Sequence, residues 1–110
     1  MTIKKDSGEL LLFLYQKQIK GEKFPDLEKL LETTKWEPNR LGLALDYLKN
    51  KGCLKVLQSL GNYQGIPNTI LLSVTNQGID IVEDKKEFQR TFSFTVNLGL
   101  ISFSWGAIER

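Results

Sequence analysis

Residues 45–54 read LDYLKNKGCL, and within this stretch a helical pattern gives way to an extended one after Gly52. The apolar residues up to this point recur at the spacings of three and four that mark the buried stripe of a helix. They are Leu41, Ala44, Leu45 and Leu48. Pro38 suits a first helical turn, which makes Glu37 the predicted N-cap, and Gly52 suits the end of the helix. The sequence therefore predicts a helix between Pro38 and Gly52, followed directly by a strand.

Beyond Gly52 the pattern predicts a hairpin with a long tip and then another helix. Residues 54–59 alternate as one strand and residues 70–74 as a second, and the intervening stretch 61–68 reads GNYQGIPN, rich in turn formers. Gly61 and Gly65 are expected to supply positive φ at the tip rather than to cradle a phosphate. Thr75 is the predicted N-cap of the next helix, whose apolar positions are Ile79, Ile81 and Val82.

Two helices are predicted before residue 37. The first spans residues 7–20, with Asp6 or Ser7 as its cap, Gly21 as its stop, and Leu10, Phe13 and Leu14 toward the core. The second is capped by Asp26 and runs through Thr33, with a buried stripe of leucines. These are Leu27, Leu30 and Leu31.

The order helix, helix, helix, hairpin, helix resembles the winged helix-turn-helix superfamily of prokaryotic transcription regulators. Residues 45–54 look like its recognition helix entering the first wing strand, and residues 72–79, LSVTNQGI, look like the second wing strand entering the following helix. Similar patterns occur in the MarR-like and PadR-like groups and in small YjcQ-like proteins. The resemblance covers residues 7–84 and implies an α+β fold of three helices, a two-stranded wing and a fourth helix.

The tail alternates again, which predicts an additional C-terminal β-hairpin with an apolar face. That face comprises Phe92, Phe94, Val96, Ile101, Phe103 and Trp105. The predicted organisation is therefore a winged-helix domain over residues 1–90 and a hairpin extension over residues 91–110. Because an isolated two-stranded hairpin is only marginally stable, it is expected to dock on its own domain or on a second subunit, and a homodimer is predicted.

Composition is that of one ordinary folded domain. The chain has 110 residues, 41% of them hydrophobic, and carries a net charge of only +2, which is low for a dedicated nucleic-acid binder. It shows no apolar run long enough for a spanning helix, and residues 1–6 are polar, so we expect a cytoplasmic protein with no membrane association. A single cysteine excludes an intrachain disulfide.

The resemblance implies that the third helix enters the major groove of double-stranded DNA while the hairpin tip reaches the backbone or the minor groove. Asn39 and Arg40 have the bidentate geometry for adenine and guanine, respectively. The same face is extended by Leu43, Tyr47 and Asn50. The phosphate candidates are Thr34, Lys35 and Lys51. Candidates on the wing are Asn62, Tyr63 and Gln64.

Plainer interpretations stand beside these candidates. Asn39 and Arg40 also fit the solvated face of an amphipathic helix, with Arg40 paired to Glu37, and the wing residues also fit an ordinary polar turn. Asp46 and Glu37 place negative charge near the expected phosphate path, and the wing tip has no Lys or Arg. The leading hypothesis is a homodimeric DNA-binding transcriptional regulator, and the alternative is a winged-helix protein-interaction module that uses the aromatic hairpin.

Catalysis is not expected. The chain has no histidine, the commonest general base and metal ligand, and no carboxylate pair stands beside a nucleophile, so neither a metal nor a cofactor is predicted. Cys53 is most simply a small core residue. A redox-sensing role for it would need Lys51 or Lys55 to lower the pKa of its thiol.

Overall fold

The computed structural model describes residues 2–22, 27–58, 62–63, 66–67, 70–95, 103 and 105 of the chain. These residues form a mixed α+β arrangement of helices and a small antiparallel sheet, as the coarse fold class predicted. None of the helices in this part of the chain is long and apolar enough to cross a membrane. In chain order the elements are α1 Ile3–Ile19, α2 Leu27–Thr34, α3 Pro38–Asn50, β1 Leu54–Gln58, β2 Asn62–Tyr63, β3 Ile66–Pro67, β4 Ile70–Val74, α4 Asn76–Glu83 and α5 Lys85–Phe92.

The predicted hairpin between the third and fourth helices is confirmed. β1 pairs with β4 in antiparallel register, from Leu54 opposite Val74 to Gln58 opposite Ile70. Within the stretch predicted as a long turn, β2 and β3 form a second short ladder, with Tyr63 opposite Ile66. The hairpin therefore carries paired backbone farther toward its tip than the turn-forming residues indicated.

Helix α1 lies at the centre of the molecule. It packs against α3 and also contacts β4, α4 and α5, so that leucines on several of its sides are buried. It begins earlier than predicted, because Thr2 Oγ1 accepts a hydrogen bond from the Lys5 amide at 3.1 Å and caps the first turn. Asp6 and Ser7, the predicted caps, lie inside the helix and are buried.

The side-chain amide of Gln18 attaches α1 to β4. Its Nε2 donates to the Val74 carbonyl oxygen at 3.2 Å, and its Oε1 accepts from the Val74 amide at 3.0 Å. Both backbone polar groups of Val74 are thereby satisfied by one side chain, which places the end of β4 against the end of α1.

The two stretches that carried the family resemblance meet in space. Thr75 donates its hydroxyl to the Gly52 carbonyl oxygen at 2.5 Å and its amide to the Cys53 carbonyl oxygen at 3.0 Å. As predicted, Thr75 also caps α4, since its Oγ1 accepts from the Gly78 amide at 3.0 Å. Gln77 Nε2 adds a bond to the Lys51 carbonyl oxygen at 2.7 Å. The end of α3 and the start of α4 are thus joined into one hydrogen-bonded junction.

Helix α5 was not predicted, and it replaces the start of the expected C-terminal strand. Asp84 Oδ1 accepts hydrogen bonds from the Lys86 and Glu87 amides, which begins the helix, and Ser93 ends it in the left-handed conformation with φ of 68°. The strand prediction was therefore wrong at Phe92, which is the last residue of α5 and fully buried. The predicted boundary between residues 90 and 91 falls inside this helix.

Tyr15 links α1 to the end of α4 through a hydrogen bond whose effect depends on pH. The Tyr15 hydroxyl donates to Glu83 Oε2 at 2.5 Å. That bond, burial and the negative charge of Glu83 raise the pKa of Tyr15 from 10.0 to about 12. Because the folded-state pKa is raised, the stabilisation is fully present below the unfolded-state pKa of 10.0 and is lost as the pH rises through about 12.

We expect Tyr15→Phe to lower the free energy of unfolding by about 1.5 kcal/mol near neutral pH, the lower end of the net value of a hydrogen bond to a charged group. The variant should also lose less stability than the wild type as the pH rises above 10.0, the unfolded-state pKa of the phenol. Urea unfolding in neutral and alkaline buffer measures both effects. Parallel pH profiles for the two proteins would show that Tyr15 does not titrate as described.

Candidate nucleic-acid interface

Helix α3 presents one face to the core and one to solvent. Its buried side chains are those predicted, Leu41, Ala44, Leu45 and Leu48. Its exposed side chains include a stripe at spacings of four, three and four. The stripe consists of Asn39, Leu43, Asp46 and Asn50. Because the opposite face is held in the core, the helix can present this stripe to a binding partner in a fixed orientation.

Two exposed lysines flank α3 at its ends. Lys35 lies in the turn before the helix with φ of 59°, and Lys51 follows it, with its Nζ 5.6 Å from the centre of the half-buried Tyr47 ring. A helix of this length is about 20 Å long, so the two cations lie far apart, one beyond each end of α3. Two exposed carboxylates, Glu37 and Asp46, interrupt the positive charge between them.

Thr34 does not lie where a phosphate contact would need it. It is buried, its Oγ1 donates to the Leu30 carbonyl oxygen at 2.9 Å, and the same atom accepts from the Trp36 amide at 3.2 Å. The threonine hydroxyl therefore stabilises the turn between α2 and α3, which corrects the prediction that it faces the DNA backbone.

Arg40 is held within the chain by a partner that the sequence did not indicate. Its Nε donates to Asp6 Oδ2 at 2.7 Å and its Nη2 to Asp6 Oδ1 at 2.9 Å, while the guanidinium lies 4.7 Å from the Trp36 ring centre. Asp6 is only 3% exposed. Arg40 is thus paired with Asp6, which neither the base-reading prediction nor the plainer interpretation named.

Trp105 docks next to this ion pair, although it lies far along the chain. Its amide donates to Glu9 Oε2 at 3.2 Å. Its carbonyl oxygen accepts from Trp36 Nε1 at 2.9 Å and from Arg40 Nη2 at 3.4 Å. Side chains of α1, α3 and the turn between α2 and α3 therefore hold both backbone polar groups of one C-terminal residue.

The rings of Phe103 and Trp105, here called the C-terminal aromatic pair, complete this contact. They stack on each other with centres 5.0 Å apart. Trp105 also meets the rings of Phe13 and Trp36 edge to face, at 5.5 Å and 5.6 Å. Such edge-to-face contacts are among the preferred geometries for aromatic side chains.

The other aromatic residues of the predicted hairpin also pack against their own chain. Phe92 is fully buried, and Phe94 meets the Phe88 ring edge to face with centres 5.2 Å apart. Val96 and Ile101, which complete the predicted docking surface, lie outside the described residues. In the described part of the tail, these apolar side chains therefore dock within the chain.

A cavity of about 560 Å³ opens beside the first turn of α3. The exposed side chains of Ile3 and Leu43, at 44% and 46% exposure, contribute apolar surface to it, and Lys35, Glu37 and Asn39 contribute polar groups. This end of α3 thus combines apolar, cationic and anionic groups around one depression.

The remaining candidates are placed as follows. Asn62 and Tyr63 form β2 near the hairpin tip, and Gln64 lies outside the described residues. Burial raises the pKa of the Cys53 thiol, and the nearby charge of Lys51 opposes this only in part, so the structure gives no support to a reactive thiolate. In the described ranges, no group of three Cys, Asp or Glu side chains is arranged to hold a metal ion.

Comparison of the chain with protein-family models, with curated proteins and with solved structures found no match. The candidate interface therefore rests on the geometry of α3 and its neighbours alone.

Proposed function

We propose that this protein is a DNA-binding transcriptional regulator of the winged helix-turn-helix type, with α3 in the major groove and the β1–β4 hairpin as the wing. The observation that carries the proposal is the arrangement of α3. One face is anchored in the core, the other presents Asn39 and Leu43, and exposed Lys35 and Lys51 lie at the two ends. A helix held in this way can enter a groove while its ends contact phosphates.

Each group on this face has a defined role under the proposal. Asn39 can pair with the adenine edge, and Leu43 can contact a thymine methyl group. Lys35 and Lys51 contact phosphates, which fix position but carry no sequence information. Tyr47 supports Lys51, whose ammonium lies over its ring. Assembly as a homodimer would double the number of these contacts.

The charges of this face predict weak binding by a single chain. Two lysines supply the phosphate contacts, while Glu37 and Asp46 repel the backbone. Phosphate contacts provide most of the affinity for DNA of any sequence, and this term falls steeply with salt. Binding should therefore be measured at low ionic strength.

The test is a fluorescence anisotropy titration with mixed-sequence duplex DNA at about 50 mM salt. We expect the double variant Lys35→Gln/Lys51→Gln to bind DNA at least about tenfold more weakly than the wild type. The slope of its log affinity against log salt concentration should be smaller by about two. Asp46→Asn should bind more tightly than the wild type, because it removes a repulsive charge from the centre of the exposed stripe.

The matched control is Lys85→Gln/Lys86→Gln, which removes the same charge from exposed positions on α5. If the proposal is correct, the control should weaken binding far less than the double variant of α3. Equal losses in the two double variants would mean that α3 is not the DNA-binding element.

A second candidate function is protein interaction without DNA binding. It is favoured by the interruption of the positive face by Glu37 and Asp46, and by the apolar Ile3 and Leu43 beside the cavity. The same titration separates the two candidates. If neither the wild type nor Asp46→Asn binds DNA at micromolar protein concentration, the second candidate is preferred.

A further inference from the structure

We propose that the C-terminal aromatic pair is a releasable cover that opposes DNA binding by holding Arg40 in its ion pair with Asp6. This inference rests on the proposed function, because it concerns the same end of α3. It assigns a regulatory role to a contact between the tail and the first turn of the recognition helix.

The donors of Arg40 are occupied in the docked state. A guanidinium reads guanine with two parallel N–H groups, the same fork that binds a carboxylate. Here the Nε and Nη2 edge of that fork is already bound to Asp6, and Nη2 also donates to the Trp105 carbonyl oxygen. In this docked state the edge is not available to a base or a phosphate.

The docked state is held by contacts that all involve Trp105. The amide and the carbonyl of Trp105 are bound by the side chains of Glu9, Trp36 and Arg40. Since these bonds and the ring contacts all involve one residue, they are lost together when that residue leaves. Departure of Trp105 would remove an acceptor from Nη2 and expose more of a guanidinium whose side chain is already 26% exposed. An ion pair in contact with water holds its partners less strongly than a buried one.

Release of Trp105 would change the charge that the first turn of α3 offers to DNA. Arg40 lies in the first turn of the helix, directly after Asn39. Once its pair with Asp6 is hydrated, a DNA phosphate or base can compete for the guanidinium and add a third cation to the interface. If the released state makes up about one tenth of the molecules, permanent release raises the apparent affinity about tenfold.

The test compares Trp105→Ala with the wild type in the DNA titration described above. We expect Trp105→Ala to bind about tenfold more tightly, with a salt slope steeper by about one because one more phosphate contact forms. Phe94→Ala is the control, since it removes an aromatic ring from the same tail that packs on Phe88. Equal or weaker binding by Trp105→Ala, or an equal gain in Phe94→Ala, overturns the inference.

A second variant tests the cover without removing Trp105. Trp36→Phe keeps a ring but loses the donor to the Trp105 carbonyl oxygen, and it leaves Trp105 as the only tryptophan of the chain. We expect a smaller gain in DNA affinity than for Trp105→Ala. We also expect acrylamide to quench Trp105 fluorescence more strongly with saturating DNA than without DNA. If acrylamide quenches Trp105 fluorescence equally in the DNA complex and in the free protein, the inference is contradicted while DNA binding remains established. If no variant binds DNA, the proposed function itself is rejected.

Discussion

Gly78→Ala should lower the free energy of unfolding by about 3 kcal/mol, at the upper end of the usual cost of overpacking a core. A Cβ atom at Gly78 would lie 2.5 Å from the Cys53 carbonyl oxygen and 3.0 Å from Val74 Cγ1. The oxygen belongs to the backbone and accepts the Thr75 amide at 3.0 Å, so it cannot move away without disturbing the junction between α3 and α4.

Urea unfolding followed by circular dichroism measures this loss. Gly21→Ala is the informative control, because Gly21 has φ of 69° but a Cβ there would have no heavy atom within 4 Å. It should cost only about 1 kcal/mol, the penalty of a left-handed conformation without a steric clash. If Gly78→Ala costs no more than Gly21→Ala, the close approach to Cys53 is not what requires glycine.

Arg40→Ala should also cost about 3 kcal/mol, because removing one partner of a buried ion pair leaves the other charge uncompensated. The remaining partner is Asp6, whose side chain is only 4% exposed. The substitution also removes the cation over Trp36 and one donor to the Trp105 carbonyl oxygen. The expected loss is therefore larger than that of an ordinary surface substitution.

Two controls separate this explanation from a general effect of losing an arginine. Arg90→Ala breaks a surface pair with Glu87, in which the arginine side chain is 74% exposed, and should cost less than about 1 kcal/mol. In an Asp6→Asn background, Arg40→Ala should cost much less than in the wild type, because the buried charge is already gone. Equal costs for Arg40→Ala and Arg90→Ala would refute the role assigned to Asp6.

The elements that could be predicted from the sequence are those with strong local signals. Helix α3 showed an apolar stripe with Pro38 at its start and Gly52 after its end, and α4 showed Thr75 as its cap. Helix α5 was missed because Phe92 and Phe94 continue an alternating pattern that indicates a strand. The signals for a helix were present nonetheless, since Asp84 can cap it and Phe88 lies four residues before Phe92.

The candidate site could be predicted only where it depends on helical periodicity. The exposed positions of Asn39 and Leu43 follow from the buried stripe on the other side of α3. The pairing of Arg40 with Asp6 joins residues 34 positions apart, and such a partnership leaves no local pattern. Thr34 was placed on the surface because its residue type suits a phosphate contact, whereas its hydroxyl bonds the Leu30 carbonyl four residues earlier.

The amide of Gln18 has a consequence for association between chains. A strand at the border of a sheet offers unpaired N–H and C=O groups onto which a strand from another molecule can add, a common route to aggregation. At Val74 both groups are already bound to Gln18, which imitates a neighbouring peptide unit. The end of β4 nearest the helices is thereby closed to strand addition, because a side chain of α1 already occupies both backbone groups of Val74.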